Sequence, residues 1–191
     1  MTSSRPHLAL IAVTGTLALA ACTSSTATIP AAPAPSSTAA TSATTPQAPP
    51  PVPRPDPATV NRTDPTAVSQ AALELMYLVD TTSDTGWADA AHRALPLLSS
   101  RYAQGVRAGG GRTPAGTWQE WTQHRAYTTV ELKPSAETHP IDTTTQAHRP
   151  WLLTITPTGR DGWRGEPEQR AAFVTLTHAD NGWAVDHITT Q

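Results

Sequence analysis

From Thr23 to Thr63 the chain reads TSSTATIPAAPAPSSTAATSATTPQAPPPVPRPDPATVNRT, and this stretch limits what the rest can fold into. Pro, Ala, Ser and Thr make up nearly all of it. Large apolar side chains are almost missing, so burial cannot offset the entropy of ordering the backbone. The segment reads as a disordered spacer, extended as polyproline II around PPPVPRPDP at residues 49–57. A coil of this length averages about 35 Å and spans over roughly 100 Å when drawn out. Folding is left to residues 64–191, enough chain for one domain that buries about two thirds of its unfolded surface.

In front of the spacer stands the only cysteine, Cys22, at the end of MTSSRPHLALIAVTGTLALAAC. The apolar run from Leu8 to Leu19 is too short for a spanning helix of about 20 residues and suits a signal-peptide core. Leu19-Ala20-Ala21-Cys22 resembles the lipobox of bacterial lipoprotein signal peptides. That resemblance implies cleavage between Ala21 and Cys22 and diacylglyceryl modification of the Cys22 thiol. Residues 1–21 are then a leader and residues 22–63 a tether. The protein is expected at the extracytoplasmic face of the cell membrane, held by palmitate-like acyl chains at about 0.8 kcal/mol per buried CH₂. A disulfide has no second cysteine to use. No later run is long enough to cross a membrane.

Residues 64–191 carry ten Lys and Arg against fourteen Asp and Glu, a net charge of −4. No basic stripe is present, which argues against nucleic acid as a partner. Asp64-Pro65 is a helix start, with Asp as N-cap and Pro in the first turn. Val68, Ala71, Ala72, Leu75, Met76 and Val79 then recur at helical spacing. Asp84 is placed to cap a second helix, whose face holds Trp87, Ala91, Ala94, Leu95 and Leu98. Pro96 predicts a kink there, or a fresh helix running to about Val106. Residues 108–116 read as a loop, and Trp118–His124 as one or two helical turns.

The period then changes to alternation, predicting strands at Tyr127–Lys133, Trp151–Thr156, Arg170–Thr177 and Trp183–Ile188. Asn181-Gly182 predicts a type I′ hairpin, pairing Leu176 with His187 and His178 with Val185. Val174, Leu176, Trp183 and Val185 then share an apolar face. About three N-terminal helices covering a four-stranded antiparallel sheet make the domain α+β.

DPTAVSQAALELMYLVDTTSDT, WQEWTQHRAYTTVELKPS and NGWAVDHI give the chain a resemblance to the NTF2-like, cone-shaped superfamily over residues 64–191. More narrowly, the chain looks like small actinobacterial lipoproteins that accompany conjugation or secretion machinery, with domains like those of VirB8- and TcpC-type proteins. The resemblance implies a curved sheet forming a cone and a homodimer through the open sheet. It also implies a non-enzymatic interaction or scaffold role in an envelope complex. It leaves two alternatives: a carrier of a small apolar ligand, or a cone-pocket isomerase or hydrolase.

No strong chemical motif is present. AGGGRTPAG lacks the Gly-Lys-Ser/Thr ending of a phosphate loop. The histidines at 92, 124, 139, 148, 178 and 187 lack metal-site spacing, and neither metal nor cofactor is expected. His178 and His187 are expected on one sheet face. An enzyme would draw on Asp80, Asp84, His92, Tyr102 and Tyr127, with a carboxylate of raised pKa as base. The alternative for Asp80 and Asp84 is closure of the inter-helix turn. Trp118, Trp121, Trp151 and Tyr127 are the candidates for a pocket or partner surface. Trp87 and Trp183 are expected in the core.

Overall fold

A computed structural model describes residues 51–109 and 115–191, apart from the side chain of Ala115. In chain order these form α1 (Pro65–Tyr77), α2 (Trp87–Arg93), a 3₁₀ turn (Leu95–Leu97), α3 (Ser100–Gly109), α4 (Ala115–Gln123), β1 (Tyr127–Pro134), β2 (Gln146–Thr158), β3 (Glu168–Ala179) and β4 (Gly182–Thr190). The fold is α+β, with four α-helices ahead of a four-stranded antiparallel sheet in the order β1-β2-β3-β4.

α1 starts as its sequence predicts. The Asp64 carboxylate accepts from the Thr66 N–H at 2.8 Å and Pro65 occupies the first turn. Its buried stripe, Val68, Ala72, Leu73 and Leu75, packs with Trp151, Leu153, Val174, Leu176 and Val185 from the sheet. Beyond Tyr77 the chain runs extended beside the start of β1. Val79 and Thr128 exchange hydrogen bonds there: the Val79 N–H donates to Thr128 Oγ1 at 2.7 Å, and the Thr128 N–H to the Val79 carbonyl at 2.9 Å.

Asp84 does not cap α2. The N-cap is Gly86, which makes no side-chain bond. Asp84 is held instead by arginines, because its carboxylate is buried and needs a charged donor more than a helix start does. The break at Pro96 is a 3₁₀ turn, and the fresh helix begins at Ser100. Ser99 is its cap, with Oγ accepting from the Tyr102 N–H and the carbonyl from the Ala103 N–H.

Every strand is longer than the sequence pattern suggests. β2 begins five residues before Trp151, on the far side of Pro150. That proline is tolerated because β1 ends opposite Trp151, so no strand lies beyond it on that side. The 135–145 connection covers the gap, with the Asp142 carboxylate accepting from the His148 N–H and from Arg149.

The last hairpin differs in register from expectation. Ala179 pairs with Gly182, so Asp180 and Asn181 form the turn. Only Gly182 has positive φ, at 96°, which excludes a type I′ turn needing two such residues. A side chain at Gly182 would meet the Arg62 carbonyl at 2.5 Å, and the Trp183 N–H donates to that carbonyl at 2.8 Å. Leu176 therefore pairs with Val185, His178 with Trp183 and Thr175 with His187. Asp186 is left over as a bulge residue, and its side chain accepts from Ser99 Oγ at 2.6 Å and from Arg101. The apolar set Val174, Leu176, Trp183 and Val185 is buried as expected.

Residues read as the end of the tether lie on this body. Arg62 donates to the carbonyls of Trp183 and Pro96, and Arg54 reaches Asp84 at 3.3 Å.

Candidate functional site

The elements before and within the sheet leave a cleft of about 600 Å³. α1 contributes Met76 and Tyr77, α2 Trp87 and Ala91, α3 Tyr102 and Val106, α4 Thr117 and Trp121, and β3 Glu168 and Arg170. Trp87 and Trp121 meet edge to face with ring centres 5.2 Å apart. They belong to a second apolar cluster with Val79, Ala90, Ala126, Trp118 and Trp163. The volume falls within the range of about 300–1,000 Å³ seen in small-molecule sites, which combine apolar lining with few polar groups.

The cleft's polar groups gather where α1 and α3 approach β3. The Arg170 guanidinium lies 5.9 Å from the Tyr77 ring centre. Its Nε donates to Glu168 Oε1 at 2.7 Å, and Nη2 is 2.6 Å from the same oxygen. Burial opposes the charge on Arg170, but the Glu168 and Tyr77 partners outweigh it and raise its pKa. Burial likewise pushes the Tyr102 hydroxyl above its usual range, aided by the nearby Tyr77, so that it stays a neutral hydrogen-bonding group.

An adjoining cleft of about 400 Å³ shares Thr117, Trp121 and Glu168 and is otherwise bounded by Glu120, Pro157 and the 163–166 segment. Trp163 stacks on His124, 4.6 Å between centres and 3° between planes. Asp161 accepts from His124 at 2.7 Å and from the Trp163 N–H, which holds its carboxyl below the ordinary value. Gly159 allows this closeness. A Cβ there would stand 2.9 Å from the His124 Cβ and 3.0 Å from the Trp163 Cβ.

The four aromatic candidates separate. Trp121 lines the main cleft. Trp118 is half-buried against the same cluster. Trp151 sits in the main core, its indole N–H donating to Ser69 Oγ at 3.1 Å. Tyr127 is buried beside a smaller cleft of about 260 Å³, which also takes in Pro51, Val52 and Leu78, with the Arg160 guanidinium 5.3 Å from its ring centre. Trp87, expected in the core, lines the main cleft instead. Tyr77 and Arg170 drew no attention in the sequence, since nothing local shows that a helix end and a mid-sheet residue will meet. Ala21 and Cys22 lie outside the described residues.

The carboxylates considered as bases are occupied by arginines and do not line the main cleft. The Asp84 side chain, 3% exposed, accepts from Arg93 at 2.6 and 3.1 Å and from Arg54 at 3.3 Å, and also takes the Asp80 N–H. Asp80 receives Arg160 on both oxygens at 3.0 and 2.8 Å and closes the turn through the Thr82 N–H and hydroxyl. Partial burial opposes its charge, but these donors prevail and hold its carboxyl below the ordinary value. His92 is exposed on α2. His178 lies edge-on to Trp183 while His187 faces Tyr102, so the two histidines are not brought together. Among the described residues no group of three metal-binding side chains occurs, and no helix is long and apolar enough to cross a membrane.

A comparison with known proteins found no matching family model, no matching curated protein and no matching solved structure.

Proposed function

We propose that the chain is an extracytoplasmic lipoprotein whose body is a non-catalytic binding domain of NTF2-like architecture. Acyl chains on Cys22 would hold it to the membrane, and the Pro/Ala/Ser/Thr tract would carry the body outward to an envelope assembly of the conjugation or secretion kind. The order of elements supports the architecture, with helices ahead of an antiparallel sheet that they cover on one side. One observation carries the binding role: the large aromatic cleft is lined without either candidate carboxylate base, Asp80 or Asp84. Such a site retains apolar surface, and the one carboxylate among its described lining residues, Glu168, is held by Arg170. The openness of the cleft favours the carrier form of the reading over a scaffold with a filled interior.

Two measurements test this reading. The purified full chain carrying Cys22→Ser should bind the neutral apolar dye Nile red saturably, and Trp87→Ala should weaken that binding about tenfold. Equal binding by both proteins refutes the cleft as the site. For the anchor, metabolic labelling with a fatty acid should mark the native chain and not Cys22→Ser. A labelled variant refutes the attachment point.

A further inference from the structure

We propose that the main cleft takes an amphipathic organic acid, whose carboxylate pairs with Arg170 beside the Tyr77 and Tyr102 hydroxyls while its apolar body lies against Trp87 and Trp121. This rests on the reading of the cleft as a binding site and adds the chemistry of the ligand. Among the described residues the formal charges lining the cleft are Arg170 and Glu168, two residues apart on β3 and so on one face of the strand. Their exposures differ. The Glu168 side chain is 54% exposed and Arg170 35% exposed, with the guanidinium laid over Tyr77. The deeper charge is thus the cation, and an incoming anion is the complementary partner. An ammonium ligand would find its counter-charge only at the wetter edge and would face Arg170 inside.

Glu168 holds Arg170 in a substitutable way. Nε and Nη2 both converge on the single oxygen Oε1. The stronger two-oxygen, fork-to-fork pairing is not used. An exposed carboxylate in such a pair returns to water at little cost. A ligand carboxylate that replaces it keeps the guanidinium paired and adds burial of its own apolar body. Glu168 then acts as a built-in competitor that closes the charge balance when the cleft is empty. The rest of the described lining, Met76, Ala91 and Val106 among it, offers no other full charge to orient the molecule, so the acid end sets the direction of entry.

The test titrates the full chain carrying Cys22→Ser with dansyl-labelled undecanoic acid and with its methyl ester, following energy transfer from tryptophan. The acid should bind about tenfold or more tightly than the ester. Glu168→Gln should tighten acid binding about three- to tenfold and leave the ester unchanged, a gain that misfolding cannot produce. Arg170→Gln should remove the preference for the acid. Acid and ester binding alike, or Glu168→Gln leaving their ratio unchanged, overturns the acid proposal while the cleft remains a binding site. Failure of acid, ester and Nile red alike overturns both readings.

Discussion

Among the described residues the molecule has two apolar clusters, and they are built differently. The first joins α1 to the sheet through Val68, Leu73, Leu75, Leu153, Val174, Leu176 and Val185, nearly all fully buried. Aliphatic side chains at helical and alternating spacing interdigitate there and leave little exposed. The second gathers Trp87, Trp118, Trp121 and Trp163 around small residues, and of these tryptophans only Trp121 is buried. Trp87 and Trp121 meet edge to face there and leave part of their surface bordering open space. The first cluster determines stability. The second supplies a surface with both apolar area and shape, which a binding domain needs.

That division can be broken by substitution. Leu73→Ala empties a fully buried position and should cost about 3 kcal/mol or more, read by denaturant unfolding, with dye binding by the folded fraction unchanged. If binding falls in step with stability, the two clusters are one unit. Asp84→Asn leaves Arg93 without its charge partner in a largely buried setting and should cost about 2–3 kcal/mol. A loss below about 0.5 kcal/mol would mean that water takes over from the carboxylate. Trp87→Ala should cost only about 1–2 kcal/mol while weakening dye binding about tenfold, the reverse of the Leu73→Ala pattern.

The smallest effect is on pH dependence. Asp80 and Asp186 are held below their ordinary value: burial opposes the charge, and the hydrogen bonds from Arg160 with Thr82 and from Ser99 with Arg101 prevail. A depressed folded pKa stabilises above the unfolded value of about 4, and that contribution is lost as the pH falls through the folded one. Asp80→Asn should therefore flatten the acid limb of the stability curve below about pH 4 and leave the slope near neutrality unchanged. An unaltered acid limb would show that Arg160 exerts no net pull on Asp80.

Some features could be read locally because their causes are local. Asp64-Pro65 starts α1 since both the cap and the fixed φ belong to adjacent residues. The switch from helical to alternating spacing near Tyr127 located the sheet, because side-chain period follows directly from backbone geometry. The tether composition and the lone Cys22 need no fold at all to state their expectation. Other features depended on partners far along the chain. The hairpin sets Gly182 and Trp183 against the distant Arg62 carbonyl, and the role of Asp84 follows from Arg93 and Arg54 reaching a buried carboxylate. Trp151 and Trp121 look alike in sequence, yet one turns to Ser69 inside the core and the other onto a cleft. The sequence alone determined where α1 and β1 start and which faces of helix and strand are apolar. Tertiary structure decided which charges meet and which aromatic rings stay open, because those depend on distances across the fold that no local spacing encodes.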